Sequence, residues 1–113
     1  MILFGRTENL KAVEIVFEVV YMRKVYPCIL SADEVGYSVI FPDIAGATQG
    51  KNLYDAIYMA EKFAAFAISS MLEDGEEIPE PTPIDKINLE DGEFVTLIKV
   101  DTDEYRKSLE VSE

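Results

Sequence analysis

The longest regular pattern of apolar positions runs from Asn52 to Leu72 and predicts an amphipathic helix. Apolar residues recur there at intervals of three and four, which places them on one helical face. Asn52 is a good N-cap, Asp55 follows three residues later near the positive end of the helix dipole, and Gly75 is a natural C-terminal stop. The apolar stripe comprises Leu53, Ala56, Ile57, Ala60, Phe63, Ala64, Ala67, Ile68, Met71 and Leu72.

Three short segments rich in β-branched and aromatic residues, and a fourth that follows a turn bounded by Pro and Gly, predict β-strands. They are residues 24–30 (KVYPCIL), 37–41 (YSVIF), 47–50 (ATQG) and 94–100 (FVTLIKV). Pro27 has no backbone N–H to donate, so the first strand is expected to lie at a sheet edge or to carry a bulge there. Turn residues connect the first three strands closely, which predicts an antiparallel meander.

The predicted fold is an α+β domain with the order β-β-β-α-β. A three-stranded antiparallel meander carries one long helix on one face, and one further strand follows a loop. Residues 101–113 are expected to form one or two helical turns that fray. The chain has 113 residues, 49% of them hydrophobic, which is enough for a single core.

The side of the predicted helix opposite its apolar stripe is also rich in aromatic residues. Tyr54 and Tyr58 are one turn apart, and Phe66 continues near that line. A solvated face would normally carry more charge than Glu61 and Lys62 supply. Two interpretations remain open: a helix buried more deeply than usual, or a second contact surface for an oligomer mate or a partner.

The chain is strongly acidic, with twenty-two acidic and ten basic residues and a formal net charge of −12. This charge repels nucleic-acid phosphates, favours a basic partner and promotes solubility. The acidity is densest between residues 73 and 93, where the prolines at 79, 81 and 83 favour an extended loop. A charge run of this kind is either a solvated loop or a binding surface.

The sequence lacks the residues on which most catalytic sites depend. It has no histidine, so Ser-His-Asp, Cys-His and His-containing zinc sites are excluded. The single cysteine, Cys28, lies between Pro27 and Ile29 and is expected to be a buried, inert thiol. No glycine-rich phosphate loop is present, which leaves carboxylates with a divalent metal as the remaining catalytic chemistry. We expect no cofactor and no bound metal, and the cytoplasm is the expected compartment.

Residues 1–21 are the least regular part of the chain. The stretch from residue 13 to residue 21 is strand-like, and a second methionine, Met22, immediately precedes the first clear strand. The segment is therefore expected to be an extra strand, a partner-binding arm or the product of an upstream start codon, and to be dispensable for the core. Residues 22–113 form the predicted domain.

Several short motifs, in their order and spacing, resemble the HicB antitoxin family over about residues 23–105. The matching positions are Tyr26-Pro27, Gly36-Tyr37, Phe41-Pro42-Asp43, Gly46, Thr48-Gln49-Gly50, Asp55-Ala56, Asp74-Gly75 and Ile78-Pro79. The chain departs from the family pattern at Ala45-Gly46-Ala47, where Pro-Gly-Cys is common. Only thirteen residues follow Val100, too few for the C-terminal DNA-binding domain that many HicB proteins carry.

This resemblance implies a partial ribonuclease-H-like fold without nuclease chemistry, assembling as a dimer or tetramer. It also implies a partner, a HicA-type toxin, which is a small basic ribonuclease that cuts mRNA. On this interpretation the chain is a type II antitoxin, not an enzyme, and blocks the active site of the toxin. The alternatives are a DNA-binding autorepressor, an orphan oligomeric binding protein and a metal-dependent nuclease.

We expect two groups of residues to contact other proteins. The acidic candidates for toxin binding are Asp43, Glu73, Asp74, Glu76 and Glu77, and the oligomer or partner face is Tyr54, Tyr58 and Phe66. The isolated chain is not expected to bind nucleic acid or membranes, because it has neither a basic helix nor a long apolar run.

Overall fold

The computed structural model describes residues 22–111, and within them the side chains of residues 22–109. The expectations for residues 1–21 lie outside this range. The strands are β1 (Arg23–Ala32), β2 (Tyr37–Ile40), β3 (Ala47–Gly50) and β4 (Glu93–Asp101). The helices are α1 (Leu53–Glu73) and α2 (Thr102–Val111), and a 3-10 turn spans Ile84–Lys86. The predicted α+β order is confirmed, and a second helix follows the last strand.

The strands form one four-stranded antiparallel sheet with the order β3-β2-β1-β4. The expectation that β1 lies at an edge is wrong, because β1 lies between β2 and β4, and it carries no bulge, because its pairing with β4 runs without a break and places Pro27 opposite Leu97. Pairing with β2 covers only Ile29 to Ala32. Since the short β2 strand stops before Pro27, the proline lies where β1 has one hydrogen-bonded neighbour among residues 22–111, a position that tolerates a missing donor.

The core lies between the sheet and α1. Tyr26, Cys28 and Leu30 are the β1 residues that face the helix, and all three are fully buried. Small residues allow the helix to approach the sheet closely, and they are Ala56, Ala60, Ala64 and Ala65. At Gly50 this approach leaves no room for a side chain, because a Cβ atom would lie 2.2 Å from the backbone nitrogen of Ala56.

Both ends of α1 are closed by hydrogen bonds, as the sequence predicts. The Asn52 side chain accepts a hydrogen bond from the Asp55 N–H at 2.8 Å, and the Asp55 carboxylate accepts one from the Lys51 N–H at 2.9 Å. At the other end, Gly75 adopts a φ of 72° and the Glu76 N–H donates to the Met71 carbonyl at 2.9 Å. These are the bonds of a Schellman turn, so the helix has a defined end.

The tail differs from the prediction, because α2 is a helix of ten residues rather than one or two fraying turns. Its first residue, Thr102, is buried and bonded to Met22: the Met22 N–H donates to the threonine Oγ1 at 2.9 Å, and the Thr102 N–H donates to the Met22 carbonyl at 3.1 Å. Tyr105 packs against the core. The tertiary contacts of Thr102 and Tyr105 therefore stabilise a segment of weak intrinsic helix signal.

Candidate functional site

Four carboxylates are displayed where α1 ends, and we call Glu73, Asp74, Glu76 and Glu77 the acidic turn. All four side chains are exposed, and within residues 22–109 no ammonium or guanidinium group lies within 4 Å of them. The last turn of α1 carries no basic residue. Each carboxylate at the C-terminal end of a helix interacts unfavourably with the helix dipole, by a few tenths of a kcal/mol. The backbone hydrogen bonds therefore stabilise this turn, and its charges do not.

The loop that follows the acidic turn is fastened to the sheet at three neighbouring residues. The Tyr26 hydroxyl donates to the Pro79 carbonyl at 2.6 Å, and the Lys24 ammonium lies 3.3 Å from a Glu80 carboxylate oxygen. Thr82 is bonded to Asp43. Glu73, Asp74 and Glu76 therefore belong to the Schellman turn itself, and Glu77 lies between that turn and these anchors, so the acidic turn differs from a freely solvated linker.

Asp43, a predicted toxin contact, holds this loop. One of its carboxylate oxygens accepts a hydrogen bond from the Thr82 N–H at 2.9 Å, and the other accepts one from the Thr82 hydroxyl at 2.5 Å. Asp43 is partly buried, whereas the acidic turn is exposed. The sequence analysis did not identify Thr82. Its only local signal is a hydroxyl group between Pro81 and Pro83, shortly after the Ile78-Pro79 motif.

The aromatic residues on the outer side of α1 point into solvent. Tyr54 is 83% exposed, Tyr58 is 50% exposed and Phe66 is 54% exposed. The alternative of a deeply buried helix is therefore wrong for these three residues, and their role as a contact surface stays a prediction. The Lys62 ammonium lies 5.4 Å from the centre of the Tyr58 ring, within the range of a cation–π interaction.

The inner side of β1 offers a phenol and a thiol rather than carboxylates. Burial, and to a lesser degree the nearby charge of Glu61, raises the pKa of Cys28 to about 11, so this thiol is protonated at neutral pH. Burial is also the main cause that raises the pKa of Tyr26 to about 12, followed by the charges of Asp43 and Glu80. Cys28 is buried, as predicted, and Tyr26 remains a hydrogen-bond donor to the loop.

Neither a metal-binding cluster nor a membrane-spanning helix occurs in the described part of the chain. Between residues 22 and 109, no three side chains of the Cys, Asp or Glu type converge on a point that suits a metal ion. Over the same stretch, no helix is long and apolar enough to cross a bilayer.

The order of strands, the capped helix and the fixed acidic loop fit a known family. Residues 26–111 match the family described as HicB-like antitoxin of bacterial toxin–antitoxin system. The chain belongs to this family. The match extends through α2, past the limit of about residue 105 that the sequence motifs suggest.

Individual relatives agree with this assignment. An uncharacterised 14.9 kDa protein of Haemophilus phage HP1 is 36% identical over 80 residues, which is 67% of this chain and 60% of the phage protein. The chain thus spans about three fifths of that relative. A toxin–antitoxin complex from Streptococcus pneumoniae contains a similar chain, with a TM-score of 0.68 and 26% identity over 74% of this chain and 73% of that one.

A second solved structure supports the fold alone. A chain of the HicA3 and HicB3 toxin–antitoxin complex aligns with a TM-score of 0.57 and 23% identity, covering 69% of this chain and 99% of that one. The α+β architecture is therefore that of HicB antitoxins.

Proposed function

We propose that this chain is an antitoxin that binds a small basic HicA-type toxin, an mRNA-cutting ribonuclease, and inhibits it by occlusion in the bacterial cytoplasm. Family membership supports the antitoxin role, and the similar chains come from toxin–antitoxin complexes. The observation that carries the proposal is the acidic turn, a fixed and exposed group of four carboxylates without basic partners in the described chain. A basic surface that holds RNA phosphates is the natural complement of such a group.

The acidic turn lies at the C-terminal end of α1, on a helix that also exposes Phe66. Phe66 precedes Glu73 by seven residues, so both side chains lie on the same side of the helix, about 10 Å apart along its axis. Tyr54 and Tyr58 are also exposed, nearer the start of the helix and turned from Phe66 by roughly 120° and 80° around its axis. An apolar centre bordered by charge is the usual composition of a protein interface, and we assign Tyr54, Tyr58 and Phe66 to the toxin-facing side.

The two parts of this surface are expected to act on different steps of binding. Charges at the rim mainly set the association rate and its salt dependence, whereas a desolvated aromatic residue sets the dissociation rate. Changing Glu73, Glu76 and Glu77 to Gln and Asp74 to Asn should therefore slow association with the toxin at low salt. The defect should shrink as salt rises, because screening removes the long-range attraction.

The control removes the same number of charges elsewhere on the chain. Its variant changes Glu34 and Glu90 to Gln and Asp85 and Asp91 to Asn, and all four side chains are exposed without a side-chain bond in the described chain. Association rates are measured by stopped-flow fluorescence at several salt concentrations. If both quadruple variants slow association equally, net charge alone governs the encounter and the acidic turn has no special part.

A further inference from the structure

A groove of about 690 Å³ opens where the start of β1 and the end of β4 meet the two helices. Its apolar lining includes Val25 and Val100 from the strands, Ala65 from α1 and Tyr105 from α2. Volumes of roughly 300–1,000 Å³ are typical of sites that hold a ligand. We call this feature the terminal groove, because the described part of the chain begins beside it.

The terminal groove concentrates positive charge in a chain that is otherwise acidic. Its lining includes four basic and three acidic side chains, whereas the whole chain has ten basic and twenty-two acidic residues. Arg23 and Lys24 already form ion pairs with carboxylates, at 3.0 Å and 3.3 Å. Lys62 and Lys99 are exposed, and within residues 22–109 no carboxylate lies within 4 Å of either ammonium group. These two lysines are therefore available to carboxylates that enter the groove.

The first described residue is fixed at the edge of this groove. The Met22 N–H donates to the Thr102 Oγ1 at 2.9 Å, and the Met22 carbonyl accepts a hydrogen bond from the Thr102 N–H at 3.1 Å. The next residue, Arg23, lines the groove. A segment that is tethered this closely to a site has an effective concentration there in the millimolar range. Contacts too weak to hold a free ligand can therefore hold the residues that precede Met22.

The nine residues before Met22 have a composition that complements the groove. Residues 13–21 (VEIVFEVVY) contain two carboxylates and no basic residue. In an extended conformation, the glutamates at positions 14 and 18 would share one side, and the other side would be apolar throughout. The residues of that apolar side are Ile15, Phe17, Val19 and Tyr21. One side thus matches the apolar lining of the groove, and the other carries the charge that its unpaired lysines require.

We propose that residues 13–21, which we call the arm, occupy the terminal groove of their own chain. The apolar side of the arm packs against the groove lining, and its two glutamates lie near Lys62 and Lys99. Three independent features favour this occupant over a free molecule: the covalent tether at Met22, the apolar lining and the two unpaired cations.

The arm would also touch the edge of the proposed toxin surface. Among the aromatic residues assigned to that surface, Tyr58 lines the terminal groove, whereas Tyr54 and Phe66 do not. The arm and a toxin would therefore compete for the Tyr58 ring, while the rest of the proposed toxin surface stays available.

A single tryptophan reports whether the groove is occupied, because the chain contains no tryptophan of its own. Tyr58→Trp places the probe on the groove lining, and Tyr54→Trp, at an 83% exposed residue one turn away and outside the groove, is the matched control. Acrylamide quenching of the full chain without toxin measures the access of solvent to each probe. We expect quenching at position 58 to be several-fold weaker than at position 54, with emission at a shorter wavelength.

Phe17→Asp tests whether the arm causes this shielding. The substitution places a charge on the apolar side of the arm, so in the Tyr58→Trp chain it should raise quenching several-fold, toward that of Tyr54→Trp. Leu3→Asp makes a similar change outside the arm and should leave quenching unchanged. The urea midpoint of each variant shows whether the domain is folded.

A charge exchange provides a second test that leaves Phe17 in place. In the Tyr58→Trp chain, Glu14→Lys with Glu18→Lys should raise quenching, and so should Lys62→Glu with Lys99→Glu. Both effects should be larger at low salt, where the repulsion between like charges is less screened. All four substitutions together should restore the shielding, because the complementary pairs re-form.

Other occupants of the terminal groove give different results, and each of these results overturns the proposal. Quenching at position 58 that is unchanged by both Phe17→Asp and the glutamate reversals would place the arm outside the groove. Shielding that appears only after toxin is added would assign the groove to the toxin. Shielding that increases with protein concentration would assign it to a second copy of the chain.

Discussion

Asp43 provides a sharp test, because sequence and structure suggest different roles for it. The sequence analysis predicts that the Asp43 carboxylate contacts a basic toxin surface, whereas in the structure both of its oxygens accept hydrogen bonds from Thr82. Asp43→Ala removes both bonds and leaves the partly buried Thr82 N–H without this acceptor. Thr82→Val removes only the hydroxyl bond and keeps a side chain of similar shape.

The structure sets the size of each effect. A hydrogen bond to a charged group contributes about 1.5–3 kcal/mol, and partial exposure of this pair lowers that range. We expect Thr82→Val to reduce the free energy of unfolding by about 1–1.5 kcal/mol and Asp43→Ala to reduce it by about 2–3 kcal/mol. Because the two residues share one interaction, the double variant should lose little more than Asp43→Ala alone, which gives a coupling energy of about 1 kcal/mol.

Urea unfolding at one fixed protein concentration measures these values. With a slope of about 1–3 kcal/mol per molar urea, a loss of 2 kcal/mol lowers the midpoint by about 1 M. Additive effects of the two substitutions would contradict the shared bond. Toxin association is the second readout: if Asp43→Ala slows it and Thr82→Val does not, Asp43 contacts the toxin directly.

Two further predictions concern the core and the helix–sheet contact. Folding raises the pKa of Tyr26 from 10 to about 12, so its contribution to stability should be complete below pH 10 and disappear as pH rises to 12. In Tyr26→Phe, the free energy of unfolding should lose this dependence on alkaline pH. A folded wild-type protein in which every tyrosine ionises by about pH 11 would contradict the prediction. Gly50→Ala should cost about 3 kcal/mol or more in thermal unfolding, because its Cβ would meet the Ala56 backbone. Gly92 has a φ of 85° but open space around it, so Gly92→Ala should reduce the free energy of unfolding by only about 1 kcal/mol. Equal losses of stability in Gly50→Ala and Gly92→Ala would refute the steric argument.

The four strands and α1 were predictable because each has a local signal. The helix follows from apolar spacing, Asn52 and Gly75, and its observed bounds differ from the predicted ones by one residue. The strands follow from β-branched and aromatic runs. The motif order identified the family, since several weak patterns at fixed spacing are jointly specific. In each case the determining interactions lie within a few residues of one another along the chain.

The loop anchors were not predictable, because they join residues that are distant in sequence. Tyr26 and Pro79 are 53 positions apart, and Asp43 and Thr82 are 39 apart. Nothing near Asp43 distinguishes a carboxylate that holds a loop from one that contacts a partner. The interior position of β1 was missed for a similar reason. The missing N–H of Pro27 is a local feature of the sequence, and it does not indicate how far β2 extends along β1.

The two exposed apolar surfaces have a common origin in the two-layer architecture. One helix over one sheet buries one side of each layer, and the other side of each layer remains available. The helix side ends in the acidic turn, which we propose faces a basic partner, whereas the sheet side exposes Val25, Ile40 and Leu97. Because the two outer surfaces face away from each other, a molecule bound to the sheet would leave the proposed toxin surface on α1 open.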